Sequence, residues 1–151
     1  MDELRVPTVA VPAEVLCQDG RRLVGSVFLP AAASHHDGPT RPEEWINDGR
    51  EFFALLPEGA ASPVILNKEQ LVAVTVPAAA DTGFHADVLR EVEIEAGGVT
   101  LVGTLHVDMP ENHQRVLDYL NLAPAFVPLY AGSRLHLVHK RHVARLTEGR
   151  S

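Results

Sequence analysis

Apolar and polar positions alternate along residues 13–27, AEVLCQDGRRLVGSV, and again along residues 90–105, REVEIEAGGVTLVGTL. A period of two interrupted by Asp19-Gly20 in one stretch and Gly97-Gly98 in the other predicts two β-hairpins. Both dipeptides accept the positive φ angles that a two-residue primed turn demands. Leu23-Val24-Gly25 and Leu101-Val102-Gly103 open the second strand of each hairpin identically. The chain writes one unit twice.

The pattern continues in step through both copies. After the strands Ala13–Gln18 and Arg22–Leu29, the stretch Pro30–Pro42 is rich in proline and small residues and predicts an exposed loop. Arg41–Asn47 follows as a short helix. Thr40 can cap it, Pro42 suits its first turn, Glu43 and Glu44 favour its positive end, Trp45-Ile46 supply its apolar face and Gly49 stops it. Its counterpart is the helix predicted over Asn112–Asn121, with Val116, Leu117 and Leu120 at helical spacing. The two copies align here without a gap: Arg41 with Arg115, Glu44 with Asp118, Trp45 with Tyr119, Ile46 with Leu120, Asn47 with Asn121, Phe52 with Phe126 and Leu55 with Leu129.

Third strands are predicted over Glu51–Leu56 and Ala125–Tyr130. Long apolar runs then end each copy, Val64–Val76 and Leu135–Leu146, interrupted at matching places by Asn67-Lys68 and His139-Lys140. A polar pair inside such a run predicts a bend that divides it into two strands. The expected organisation is a lead-in at 1–12, a first repeat at 13–76, a linker at 77–89, in which Phe84–Leu89 can make a helical turn, a second repeat at 90–147 and a tail at 148–151. The expected fold class is mainly β: two tandem small five-stranded Sm-like or SH3-like barrels, each with one short inserted α-helix. A unit of about 60 residues has a marginal core, so the two copies are expected to pack against each other.

Composition narrows the function. The 151 residues are 46% apolar and 22% charged, without an apolar run long enough to span a bilayer. Asp2 and Glu3 stand where a secretory signal would be basic, so the expected location is the cytoplasm, with no membrane partner. The lone Cys17 lies in a strand phase that buries it. A net charge of -7 disfavours nucleic acid, although residues 134–145 hold Arg134, His136, His139, Lys140, Arg141, His142 and Arg145 with no acid among them.

The order Val15, Cys17, Asp19-Gly20, Leu23, Gly25, Val27, then Phe52-Phe53 and Leu55, then Val64-Ile65-Leu66-Asn67-Lys68 with Leu71 and Val74, resembles the Sm-like fold of bacterial RNA chaperones. In that family Asn-Gly or Asp-Gly leads to Leu-x-Gly and a Tyr-Lys-His bend precedes the last strand; His139-Lys140 sits at the bend in the second copy. The chain is also similar to tandem bacterial small-barrel domains that carry a Leu-Asn pair on an inserted helix. The resemblance implies two small barrels and, as one function, RNA contacts through Lys68, Lys140 and Arg141. The inserted helix between strands two and three is a departure from it.

Chemistry-bearing motifs are absent. No phosphate-cradling glycine loop, GxSxG or HExxH occurs, and Cys17 has no base beside it in sequence. No catalytic, cofactor or metal site is expected. His136, His139 and His142 are spaced by threes, which on a straight strand sets the middle one on the opposite face, so structural roles are expected for them. The expected function is a non-enzymatic protein–protein interaction or scaffold module that self-associates, with an unknown protein partner. Trp45, Tyr119, Lys68, Lys140 and Arg141 are its candidate contacts. An Sm-like RNA-binding protein is the alternative, and a sensor of a small ligand or metal through the histidine-rich end is a further one.

Overall fold

The computed structural model describes residues 7–33, 36–78, 88–107 and 115–149. Its elements run β1 (Thr8–Cys17), β2 (Arg22–Pro30), α1 (Pro42–Ile46), β3 (Phe52–Pro57), β4 (Val64–Asn67) and β5 (Leu71–Pro77), then β6 (Val88–Ala96), β7 (Val99–Val107), α2 (Val116–Leu122), β8 (Phe126–Ala131), β9 (Arg134–His139) and β10 (Val143–Glu148). Single 3-10 turns, Lys68–Gln70 and Lys140–His142, sit at the two polar interruptions. Part of the interrepeat linker and the predicted start of the second helix fall outside the described residues.

Alternation becomes burial along the hairpins. Val15, Val27 and Leu29 in one copy and Val92, Ile94, Leu105 and Val107 in the other are excluded from solvent. Gly97 and Gly98, with φ of 56° and 81°, form the two-residue turn between the paired Ala96 and Val99. The first hairpin differs from the expectation. Its last pair is Leu16 with Arg22, Gly20 alone takes a positive φ (87°), and the Asp19 carboxylate accepts the Arg21 N–H at 2.9 Å. The longer connection lets glycine carry the whole reversal.

The first strand also begins earlier than Ala13. β1 starts at Thr8 and passes through Pro12, pairing with β2 as far as Pro30. A proline is tolerated there because β5, the other neighbour of β1, pairs with it only over Glu14–Cys17, so Pro12 has an open side.

All ten strands belong to one antiparallel sheet in the order β10-β6-β7-β8-β9-β5-β1-β2-β3-β4. Each half has the same internal order, its last strand lying beside its first. The sheet does not close, however, and the expected pair of closed five-stranded barrels is not found. The closing strand of the first half, β5, pairs with β9 of the second, leaving β4 and β10 as the two ends. Its sequence accounts for this. Leu71-Val72-Ala73-Val74 is buried without a break, as expected of a strand covered on both faces.

Two cores result, and each borrows from the other half. Leu71, Val74 and Val76 join Val15, Leu55, Trp45 and Ile46 of their own half with Phe126, Leu135 and Leu137 of the other. Val72, Ala73 and Leu16 join Val92, Leu105, Val116, Val127 and Val138. The β5–β9 seam therefore runs through the middle of the packed apolar volume.

Candidate functional site

The seam is the most elaborated surface of the molecule. Its register sets Ala73 opposite Val138, Val74 opposite Leu137, Thr75 opposite His136 and Val76 opposite Leu135. Three histidines of the second half fasten to the first. His136 Nδ1 and the Thr75 hydroxyl share a hydrogen bond of 2.7 Å, the His139 Nδ1–H donates to the Leu71 carbonyl at 3.0 Å, and the His142 Nε2–H donates to the Glu69 carbonyl at 2.9 Å. His139 is buried and stacks on Phe126 with ring centroids 4.4 Å apart. Burial pushes the pKa of both His136 and His139 below the ordinary imidazole value, since charging them would strand a cation away from water.

Above the ladder, α1 reaches across. The Asn47 carboxamide accepts the Phe126 main-chain N–H at 2.9 Å and donates to the Phe126 carbonyl at 3.0 Å, while a third bond, donated to the Glu43 carbonyl, fixes its own helix end. A side-chain amide thus stands in for a strand neighbour of β8. At the outer rim Arg141 is ion-paired with Glu69, and Arg134 with Glu14 at 3.1 Å.

The five candidate contacts divide among these features. Trp45 is buried edge-to-face against Phe53, with centroids 4.9 Å apart, holding α1 on the first core. Tyr119 packs beneath α2, and burial pushes its hydroxyl up to about 12. Lys68 is buried and ion-paired with Asp48, just past α1, at 2.9 Å. Lys140, its counterpart, donates to the Leu120 and Ala123 carbonyls at the end of α2, at 2.8 and 2.6 Å. Each lysine so ties a strand bend to the helix of its own half. Arg141 alone is exposed, and it lies at the seam. Asn47 and His139 complete the seam, and sequence reasoning assigned them no role there. The signal available was the pairing of Asn47 with Asn121 at equal places in the two copies.

That pairing gives the ends of the sheet their meaning. Phe126, inside the seam, is 2% exposed, whereas its counterpart Phe52 is 52% exposed; Leu137 is fully buried, whereas Ile65 is 66% exposed. On the other side Ala73 is buried and its counterpart Arg145 open. Asn121 is exposed beside Leu117 and Leu122, which are 63% and 64% exposed. The strands joined at the seam thus have counterparts at the two ends of the sheet, β4 open and apolar and β10 carrying exposed Arg145 and Glu148.

Other chemistry is sparse. A hollow of about 500 Å³ beside α1 is lined by Val9, Leu29, His36, Arg41, Tyr130 and Leu135 among others. His36 there bonds Glu44 at 2.6 Å, and its pKa is raised by the Asp37 carbonyl and by that carboxylate. Burial raises the pKa of the half-buried Cys17 thiol above its usual value, which favours the protonated form. Among the described residues no three His, Cys, Asp or Glu side chains are grouped to hold a metal ion, and no helix is long and apolar enough to cross a membrane. No protein-family model, curated protein or solved structure matches the chain.

Proposed function

We propose that the protein is a non-enzymatic interaction or scaffold module of the cytoplasm, made of two small Sm-like or SH3-like five-strand units, whose copies associate through the strand edges of the sheet. The observation that carries this reading is the exposed β4 edge with its apolar neighbours. Ile65, Val64 and Phe52 lie open there, and their counterparts across the seam are covered by another five-strand unit. Unpaired edges of this kind are templates for pairing with another chain.

RNA binding through Lys68, Lys140 and Arg141 is the weaker reading. All three cations are engaged inside the molecule, and the net charge of -7 opposes phosphate.

Light scattering over a dilution series tests the proposal. The expected mass rises with concentration above the 16.4 kDa of one chain. Ile65→Lys, which sets a charge on an open edge position without touching either core, is expected to return the protein to a monomer. A wild-type protein that stays monomeric at every concentration would contradict the reading.

A further inference from the structure

Resting on that reading, we infer that the partner is a second copy joined head to tail, β10 of one chain against β4 of the next, with Asn121 clamping the main chain of Phe52 as Asn47 clamps Phe126.

The internal seam supplies the template. β5 meets β9 there, and the equivalents of these strands are β10 and β4, the two free ends. Transferring the observed register sets Arg145 of one copy opposite Leu66 of the next, Leu146 opposite Ile65 and Thr147 opposite Val64. Phe52 occupies the same rung of its hairpin, opposite Asn67, that Phe126 occupies opposite His139. Asn121 lies in the last turn of α2, one residue before its end, whereas Asn47 is the first residue after α1, and Asn121 is exposed. Both halves of a second clamp are present, at opposite ends of the molecule.

In the internal seam Arg141 of the second half pairs with Glu69 of the first. Between copies the same two positions face each other, Arg141 of one chain near Glu69 of the next, but each is already paired with the other inside its own chain and adds no free charge pair to the contact. The new contact is also less apolar than the internal one. Arg145 and Glu148 stand where β5 has Ala73 and Val76, and Arg145 already pairs with Glu95 on its own sheet at 2.5 Å. These charges keep the end strand soluble when alone, and the assembly opens on dilution.

A head-to-tail contact uses two different surfaces, so each added copy exposes the next site and the mass passes beyond a dimer. A β4–β4 contact would be two-fold and would stop at a dimer.

Cysteine pairing separates the cases. In a Cys17→Ala background, Val64→Cys and Thr147→Cys chains are oxidised separately and mixed. The expected result is a disulfide-linked pair in the mixture and none from either chain alone. Self-linking of Val64→Cys, or no link in a mixture that still associates by light scattering, overturns the head-to-tail arrangement while leaving self-association standing. Loss of all association in the wild type removes the parent reading instead. For the clamp, Asn121→Ala is expected to weaken association about tenfold to a hundredfold, two hydrogen bonds being lost, with the melting temperature of the dilute monomer unchanged. Asn47→Ala is the control, expected to lower that melting temperature. Unchanged association in Asn121→Ala would refute the clamp.

Discussion

A Cβ built on Gly103 would lie 2.6 Å from the Tyr130 carbonyl oxygen, and at Gly25 the Leu56 oxygen would be nearer still. These are the points where the second strand of each hairpin crosses the strand after the inserted helix, with only two rungs between β2 and β3 and one between β7 and β8. Backbone cannot yield there as a flexible side chain would. Gly25→Ala and Gly103→Ala are each expected to cost about 1–3 kcal/mol, read as a lower denaturant midpoint; an unchanged midpoint would rule the crossing out. The seam histidines give a second residue-scale expectation. His136 and His139 bind protons less readily folded than unfolded, so the stability they supply is complete above the unfolded value of about 6.5 and is lost as pH falls below it. His36 acts in the opposite sense, its raised pKa favouring the fold at low pH, but it lies in the hollow beside α1 and away from the seam. Unfolding free energy should therefore fall on acidification from about pH 7 to pH 5.5, and His139→Gln should flatten the slope. A stability that is level or rises over that range would contradict the seam chemistry. The glycines were legible as strand-entry positions in a repeated motif. That the histidines serve structure was legible too, but their partners were not, because Leu71, Thr75 and Glu69 are more than 60 residues away and nothing local encodes them.

At the scale of elements, each inserted helix is too short to persist alone and is held by a lysine from the strand bend of its own half. Lys140→Ala removes donors from two carbonyls at the end of α2 and is expected to cost about 1–3 kcal/mol. Amide exchange in Val116–Leu122 should accelerate more than in β6 or β7, and equal acceleration throughout would deny the lysine this local role. The helices, the hairpins and the division of both long apolar runs were readable because punctuation marks them: Gly97-Gly98, Pro42 with Glu43-Glu44, and the polar pairs at Asn67-Lys68 and His139-Lys140. The extension of β1 through Pro12 was not. A proline is permitted or forbidden by which neighbour strand needs its N–H, and that depends on where β5 stops.

For the whole molecule, the repeated pattern was plain in the sequence and the way its two halves meet was not. Alternation assigns a strand two faces and says nothing about which edge it will find. Closure into separate barrels was expected from five short strands per copy, yet β5 lies between β1 and β9, and residues on both sides of the seam fill both cores. The halves should consequently melt together. One calorimetric transition is expected, and a fragment covering residues 88–149 should fail to fold because Val127 and Val138 lose Val72, Ala73 and Leu16. Two resolved transitions would mean that the shared cores contribute little.

The central claim is that the join between the two halves is repeated between chains, and hydrogen exchange measured against protein concentration tests it most directly. Main-chain protection at Val64–Asn67 and at Val143–Glu148 is expected to rise together as the protein is concentrated, while the seam strands Leu71–Pro77 and Arg134–His139 stay protected throughout. Protection that changes at neither edge, or at one alone, would contradict it.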